Sequence, residues 1–217
     1  MDEILLIDKP AGISSFGVVA RVRRKLSERL GVKKVKVGHT GTLDPFATGL
    51  LILLVGKATK RSNEFLKLDK EYEAEIMLGK TSTTGDPEGE IKNVFNGPAV
   101  PEEDVKKVVQ SFVGEISQKV PAFSAVKING RRAYEMARKG IEVETPTRKV
   151  TIYSIEILDY SWPVLKIRTK VSSGTYIRTL GEDIGKKLGT GAYLTALRRT
   201  RIADYSVNEA IALEDFQ

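Results

Sequence analysis

Hydrophobic and polar positions recur with different periods along the chain, and those periods lay out its elements. Residues 3–8 (EILLID) form a short apolar run that predicts a strand. A turn with Pro10 and Gly12 follows, and Ser14 or Ser15 is placed to cap a helix over residues 16–30, where Val19, Val22, Leu26 and Leu30 recur at helical spacing. Leu50 to Val55 is apolar without interruption and predicts a buried strand closed by Gly56; residues 58–68 predict a short helix. From Lys70 to Gly79 the alternation is strict, with Tyr72, Ala74, Ile76 and Leu78 on one face and Glu71, Glu73 and Glu75 on the other. Tyr72 is therefore an inward-facing aromatic, which by pattern alone reads as core. Residues 80–90 are a polar, turn-rich loop to which no chemical role is assigned. Pro101 opens a helix with the stripe Val105, Val108, Val109 and Phe112, stopped by Gly114. Residues 150–160 and 164–171 predict an antiparallel hairpin turning at Ser161-Trp162-Pro163. Ile177, Leu180, Ile184 and Leu188 predict another helix with Gly189 just beyond it, and Ser206 with Glu209 forms a capping box for a last helix, Val207 to Ala212. There is no internal repeat and no low-complexity segment.

One stretch stands apart from these periods. Gly38 to Gly49 reads GHTGTLDPFATG, with Gly38, Gly41, Pro45 and Gly49 as punctuation, the only histidine of the chain (His39) and a single carboxylate (Asp44). Such a backbone turns tightly and can approach a ligand. The Asp44-Pro45 dipeptide by itself reads as a helix start, with Asp as N-cap and Pro at the first helical position. The stretch lacks the Lys-Ser/Thr pair of a P-loop, so spacing nominates the loop without naming its chemistry.

Composition narrows the field. The 217 residues carry 35 Lys and Arg against 28 Asp and Glu, a net charge of +7, which favours a polyanionic partner. With no cysteine and one histidine, disulfides, thiolate chemistry and a structural zinc site have no residues to build them. The amino terminus, Met1-Asp2-Glu3, is acidic with no signal-like segment after it, and the longest apolar run is far short of the about 20 residues that span a membrane. A soluble, cytoplasmic protein is expected. Positive charge concentrates at Arg21, Arg23, Arg24 and Lys25 on the first helix, continues through Lys33, Lys34 and Lys36, and returns at Arg198, Arg199 and Arg201. Residues 120–147 interleave cations with aromatics: Phe123, Lys127, Arg131, Arg132, Tyr134, Arg138 and Lys139. That pattern fits RNA, where bases stack on rings and cations neutralise phosphates, and it also fits a surface hairpin with a short helix over Ala133 to Arg138.

The stretch GHTGTLDPFATGLL closely resembles the active-site motif of bacterial tRNA pseudouridine-55 synthases, the TruB family. Lys9 to Ser15 (KPAGISS) resembles that family's N-terminal motif, and resemblance runs in order through nearly the whole chain. It implies an α+β fold: a central mixed, mainly antiparallel sheet with flanking helices and an RNA-gripping thumb at about residues 120–147, all in one catalytic domain over residues 1–217. The family's small C-terminal PUA-type domain is not expected within these residues. The implied reaction is isomerisation of the T-loop uridine at tRNA position 55, with Asp44 as the catalytic residue. Tyr72 is then the residue that stacks on the uracil, His39 fills or braces the space the base leaves, Tyr176 lines the pocket, Arg178 pairs with Asp44, and Leu197 stands at the pocket wall. By spacing alone Arg178 reads as a surface arginine. No cofactor, no metal and no protein partner are expected, and the expected partner of this monomer is the T-arm stem-loop of tRNA. Two rival classes stand beside this one: an RNA-binding or RNA-folding protein without turnover, and the catalytic subunit of a guide-RNA-directed pseudouridylation complex.

Overall fold

The computed structural model describes residues 2–216 except Ala125, Asn129, Arg138 and Glu142, and of Arg132 the backbone alone. Strand β1 (Ile4–Lys9) leads into helix α1 (Ser15–Arg29), whose N-cap is Ser14, its side chain accepting from Gly17 N. The helix buries Val18, Val19, Val22 and Leu26 and stops before Leu30, which is exposed. Gly31 takes φ +62 there and turns the chain out of the helix, so the apolar stripe ends one turn earlier than its spacing predicts. Strand β2 (Val37–His39) and strand β3 (Thr48–Val55) pair antiparallel on either side of the Gly-rich stretch. No helix begins at Asp44; Ala47 N donates to Asp44 O at 3.2 Å and the chain turns directly into β3. The expected helix over residues 58–68 is two pieces, a 3-10 turn Gly56–Arg61 and a short α2 (Ser62–Leu66).

The next elements are β4 (Lys70–Leu78), β5 (Lys80–Ser82), β6 (Ile91–Asn93), α3 (Glu102–Gln110), β7 (Gly114–Lys119), β8 (Lys127–Ile128), β9 (Arg131–Arg132) and α4 (Ala133–Ala137). They are followed by β10 (Thr147–Ser161), β11 (Val164–Val171), α5 (Ile177–Lys187), β12 (Ala192–Ile202), β13 (Tyr205–Ser206) and β14 (Ile211–Ala212). Between the last two strands the capping box forms, with Ser206 N donating to Glu209 Oε2 at 2.8 Å, but it caps only the 3-10 turn Val207–Glu209. The chain then enters β14 instead of continuing the predicted helix.

The chain divides into two compact units, Met1–Tyr72 with Leu197–Gln217, and Glu73–Ala196. In the first, β14 pairs parallel with β1, β1 and β2 pair antiparallel with β3, and β3 pairs parallel with β12. Strand β3 explains its own sequence. Leu51, Leu53 and Val55 pack with α1 residues Val18, Val19, Val22 and Leu26, while Leu50, Ile52 and Leu54 pack with Phe65 and Ile202. A strand covered on both faces reads as a continuous apolar run. In the second unit, β11 and β7 flank β10 antiparallel, and β10 carries register shifts at Ile152/Ser154 and Ile157/Asp159. The fold class is thus α+β, a mixed and mainly antiparallel sheet with flanking helices.

Gly49 shows how tightly β3 and β12 approach. It has φ +103, and a Cβ added there would sit 2.3 Å from Arg199 O and 2.7 Å from Arg199 N, backbone atoms that cannot swing aside. Gly49→Ala is therefore expected to destabilise by about 2–3 kcal/mol, lowering the melting temperature by roughly 5–10 °C for a chain of this size. Calorimetry would read it, and an unchanged melting temperature would contradict the close approach.

Candidate active site

The segment carrying Asp44 is gripped on both sides through its backbone. Ser15, buried at the start of α1, accepts from Leu43 N at 2.8 Å and donates to Leu43 O at 3.0 Å. On the far side of Asp44, Pro45 O accepts from Gly12 N at 2.9 Å and from Lys9 Nζ at 3.1 Å. Lys9 is fully buried, and its ammonium also donates to Pro10 O at 2.9 Å and Ile13 O at 2.8 Å. A buried ammonium is tolerable only when carbonyls replace its water, and here they belong to two loops that the ammonium ties together. The Lys9–Ser15 turn thus fixes the peptides on both sides of the half-buried Asp44.

Arg199, which its sequence context suggests as surface charge, is instead 1 % exposed. Its Nε donates to Leu50 O at 2.8 Å and its Nη2 to Gly41 O at 3.2 Å, so it braces the Gly-rich segment from within. It does so because β12 pairs Arg199 opposite Gly49. Arg198, one residue earlier and on the other face, makes a bidentate pair with Asp8 at 2.7 and 3.2 Å.

His39 lies at the end of β2, half-buried, its ring edge-on to that of Phe16 with centroids 5.0 Å apart, and Gly41 N–H points to its Nδ1 at 3.4 Å. Burial pushes its pKa below the ordinary 6.5, and the neighbouring Arg199 charge pushes the same way, so His39 is neutral at pH 7. The unfolded chain binds this proton more readily than the folded one. The contribution of His39 to stability is therefore complete above pH about 6.5 and is lost as pH falls through the lowered folded value. Denaturant titrations between pH 7 and 5 should show stability falling, and His39→Gln should flatten that slope. Equal slopes in both proteins would place the titration elsewhere.

Tyr72 and Leu197, at 8 % and 7 % exposure, lie on β4 and β12, as the inward face of the alternating pattern requires. In the second unit, Tyr176 is the N-cap of α5 and is pinned by the buried Gln118, whose Oε1 accepts from Tyr176 N at 2.7 Å and whose Nε2 donates to Tyr176 O at 3.0 Å. Arg178 is only 4 % exposed, against the surface position its spacing suggests. Its Nη1 lies 3.3 Å from Asp86 Oδ2 and donates to Thr84 O at 2.7 Å, and its Nη2 donates to Phe123 O at 2.8 Å. Asp86, 3 % exposed, comes from the 80–90 loop, to which pattern alone assigns no role. That loop is therefore more than a polar connection: it supplies two of the groups that hold Arg178, the Asp86 carboxylate and the Thr84 carbonyl.

The basic stretch on α1 lines a cleft of about 410 Å³ with Arg23, Arg24, Lys33 and Lys34 at its walls. Within residues 120–147, Lys127, Arg131 and Lys139 are exposed and Phe123 and Tyr134 half-buried; Arg138 and the Arg132 side chain lie outside the described residues. Among the described residues, no cluster of three or more His, Cys, Asp or Glu could hold a metal ion, and no helix is long and apolar enough to cross a membrane.

The fold and the braced Asp44 loop define a class before they define a protein. The model of the TruB family pseudouridylate synthase N-terminal domain matches residues 24–177, and that of the tRNA pseudouridylate synthase B C-terminal domain matches residues 178–217. The chain belongs to the TruB family of pseudouridylate synthases. It is 48 % identical over 213 residues to the tRNA pseudouridine synthase B of Parabacteroides distasonis, covering 98 % of this chain and 91 % of that protein. To the tRNA pseudouridine synthase B of Aquifex aeolicus it is 47 % identical, covering 100 % of this chain and 74 % of the relative. Among solved structures, a Cbf5–Nop10–Gar1 complex matches with a TM-score of 0.73 at 33 % identity, over 98 % of this chain and 52 % of that one. The chain thus spans about half the length of that structural neighbour.

Lys9, Ser15, Gln118 and Asp86 escape a reading based on periodicity. A lysine closing an apolar strand is the one signal available for Lys9. The others are polar residues whose partners are 28 to 92 positions away, at Leu43, Tyr176 and Arg178.

Proposed function

We propose that this chain is a tRNA pseudouridine synthase that isomerises the T-loop uridine at position 55, with Asp44 as its catalytic residue. The observation that carries the reading is the backbone grip on Leu43 and Pro45, which holds the one carboxylate of the Gly38–Gly49 segment on a rigid mount. A group whose flanking peptides are both held stands on a fixed backbone. The 46–48 % identity to relatives named tRNA pseudouridine synthase B supports the choice of substrate.

The chemistry sets the demands. The bond from C1′ to N1 breaks, the uracil turns, C1′ bonds to C5, the C5 hydrogen leaves and N1 takes a proton. A carboxylate can attack C1′ or remove a sugar proton, and either route uses the anion. The target base must leave its stack. In this reading Tyr72 stacks on the uracil, the neutral His39 occupies the space the base leaves, Tyr176 and Leu197 line the pocket, and Arg178 supplies positive charge to the site. The exposed cations of the α1 cleft and of residues 120–147 meet RNA phosphates.

The test is tritium release from tRNA labelled at uracil C5, because the C5 hydrogen is lost when the new bond forms. Purified chain acting on unmodified tRNA with no guide RNA should release tritium at position 55. Release only with added guide RNA would favour the guide-directed class, and tight binding without release would favour a binding protein. The identity to the chain in the Cbf5–Nop10–Gar1 complex, 33 % against 46–48 % for the relatives named tRNA pseudouridine synthase B, favours the first outcome.

A further inference from the structure

Phe16 has no part in the reading above, yet its position is unusual. It is the second residue of α1 and is 57 % exposed, while the rest of the helix's apolar stripe is buried. It stands next to Ser15, which bonds both backbone groups of Leu43, the residue before Asp44. Its ring meets His39 edge to face at 5.0 Å and 83°. The N-cap at Ser14 fixes the first turn of the helix, and with it the backbone from which the ring projects.

Single exposed apolar side chains are ordinary on a protein surface and add little to the core, so it is the contact with His39 that sets this ring apart. Beside a site for single-stranded RNA it has a use, since every nucleobase offers a π-face and stacking on a ring is the common way to hold an unpaired base. We infer that Phe16 is a stacking platform for an RNA nucleobase adjacent to the uridine acted on, a second aromatic contact beside His39. The inference rests on the proposed RNA substrate. Its chemistry is stacking of a ring on a base; Phe has no hydrogen-bonding group, so the contact tolerates any base.

The test uses the full chain and a T-arm stem-loop carrying 2-aminopurine at each loop position flanking the target uridine in turn. Fluorescence on binding reports stacking, and anisotropy gives Kd. Phe16→Ala and Phe16→Leu should each raise Kd about tenfold and abolish the 2-aminopurine quenching at one position. Phe16→Trp should restore both to within about twofold. The melting temperature should hold in all three, because the side chain is exposed. Leu is the deciding variant: it keeps apolar cover over His39 and removes the ring. If Leu binds as tightly as Phe, or if Trp fails to rescue, the platform is overturned and Phe16 is only a shield for His39. Tritium release by the unaltered chain separates the two readings. Release with an indifferent Phe16 leaves the synthase reading standing alone, whereas ring-dependent quenching without release keeps the platform and overturns the synthase.

Discussion

Asp44→Asn is expected to lower turnover on unmodified tRNA by more than about a thousandfold, roughly 4 kcal/mol of barrier, with tRNA affinity changed by less than about threefold. The amide keeps the shape of the carboxylate but can neither attack a sugar carbon nor accept a sugar proton at neutral pH. The backbone of the segment should keep its place, because Ser15, Gly12 and Lys9 hold the peptides of Leu43 and Pro45. A circular dichroism spectrum and melting temperature matching the parent would establish that the fold is intact. Tritium release by the variant within tenfold of the parent would remove Asp44 from the chemistry.

Arg178→Ala should be the most destabilising change of a polar residue. Arg178 and Asp86 are both nearly fully buried at 3.3 Å, and removing one partner of such a pair leaves an uncompensated charge, a loss of about 3–5 kcal/mol. For a chain of this size that is a fall in melting temperature of roughly 8–15 °C. The Thr84 and Phe123 carbonyls lose their donors as well, so the 80–90 loop should loosen together with the start of the 120–147 segment. Arg178→Lys keeps the charge but not the planar fork that reaches two carbonyls and a carboxylate together, and should recover less than half of the lost stability. Adding Asp86→Asn to Arg178→Ala should restore part of it, because the stranded carboxylate is then gone. Full stability in Arg178→Lys would mean that charge alone suffices. Tritium release measured well below each variant's melting temperature separates the functional loss from the structural one.

What the sequence determined on its own is local. The unbroken apolar run at Leu50 to Val55 announced a strand covered on both faces, and the alternation from Lys70 to Leu78 placed Tyr72 inward, because side-chain period reports burial directly. The cap at Ser206 was legible for the same reason, and the first cap was narrowed to Ser14 or Ser15, since each depends on residues within one turn. The Gly38–Gly49 motif marked Asp44 and His39. Tertiary structure decided the rest. Whether Asp44-Pro45 began a helix depended on Leu43 and Pro45 being captured by Ser15 and Lys9, up to 36 positions away. Arg178 and Arg199 look like surface charge in any local window, and it is distant groups that make their burial possible, the Asp86 carboxylate and the Thr84 and Phe123 carbonyls for Arg178, the Leu50 and Gly41 carbonyls for Arg199. The predicted helix at Val207 gave way to β14 because β1 offers Ile7 and Asp8 as parallel partners for Ile211 and Ala212. Periodicity records which face of an element is dry, but which distant polar group makes a buried charge tolerable is fixed only when the chain closes on itself.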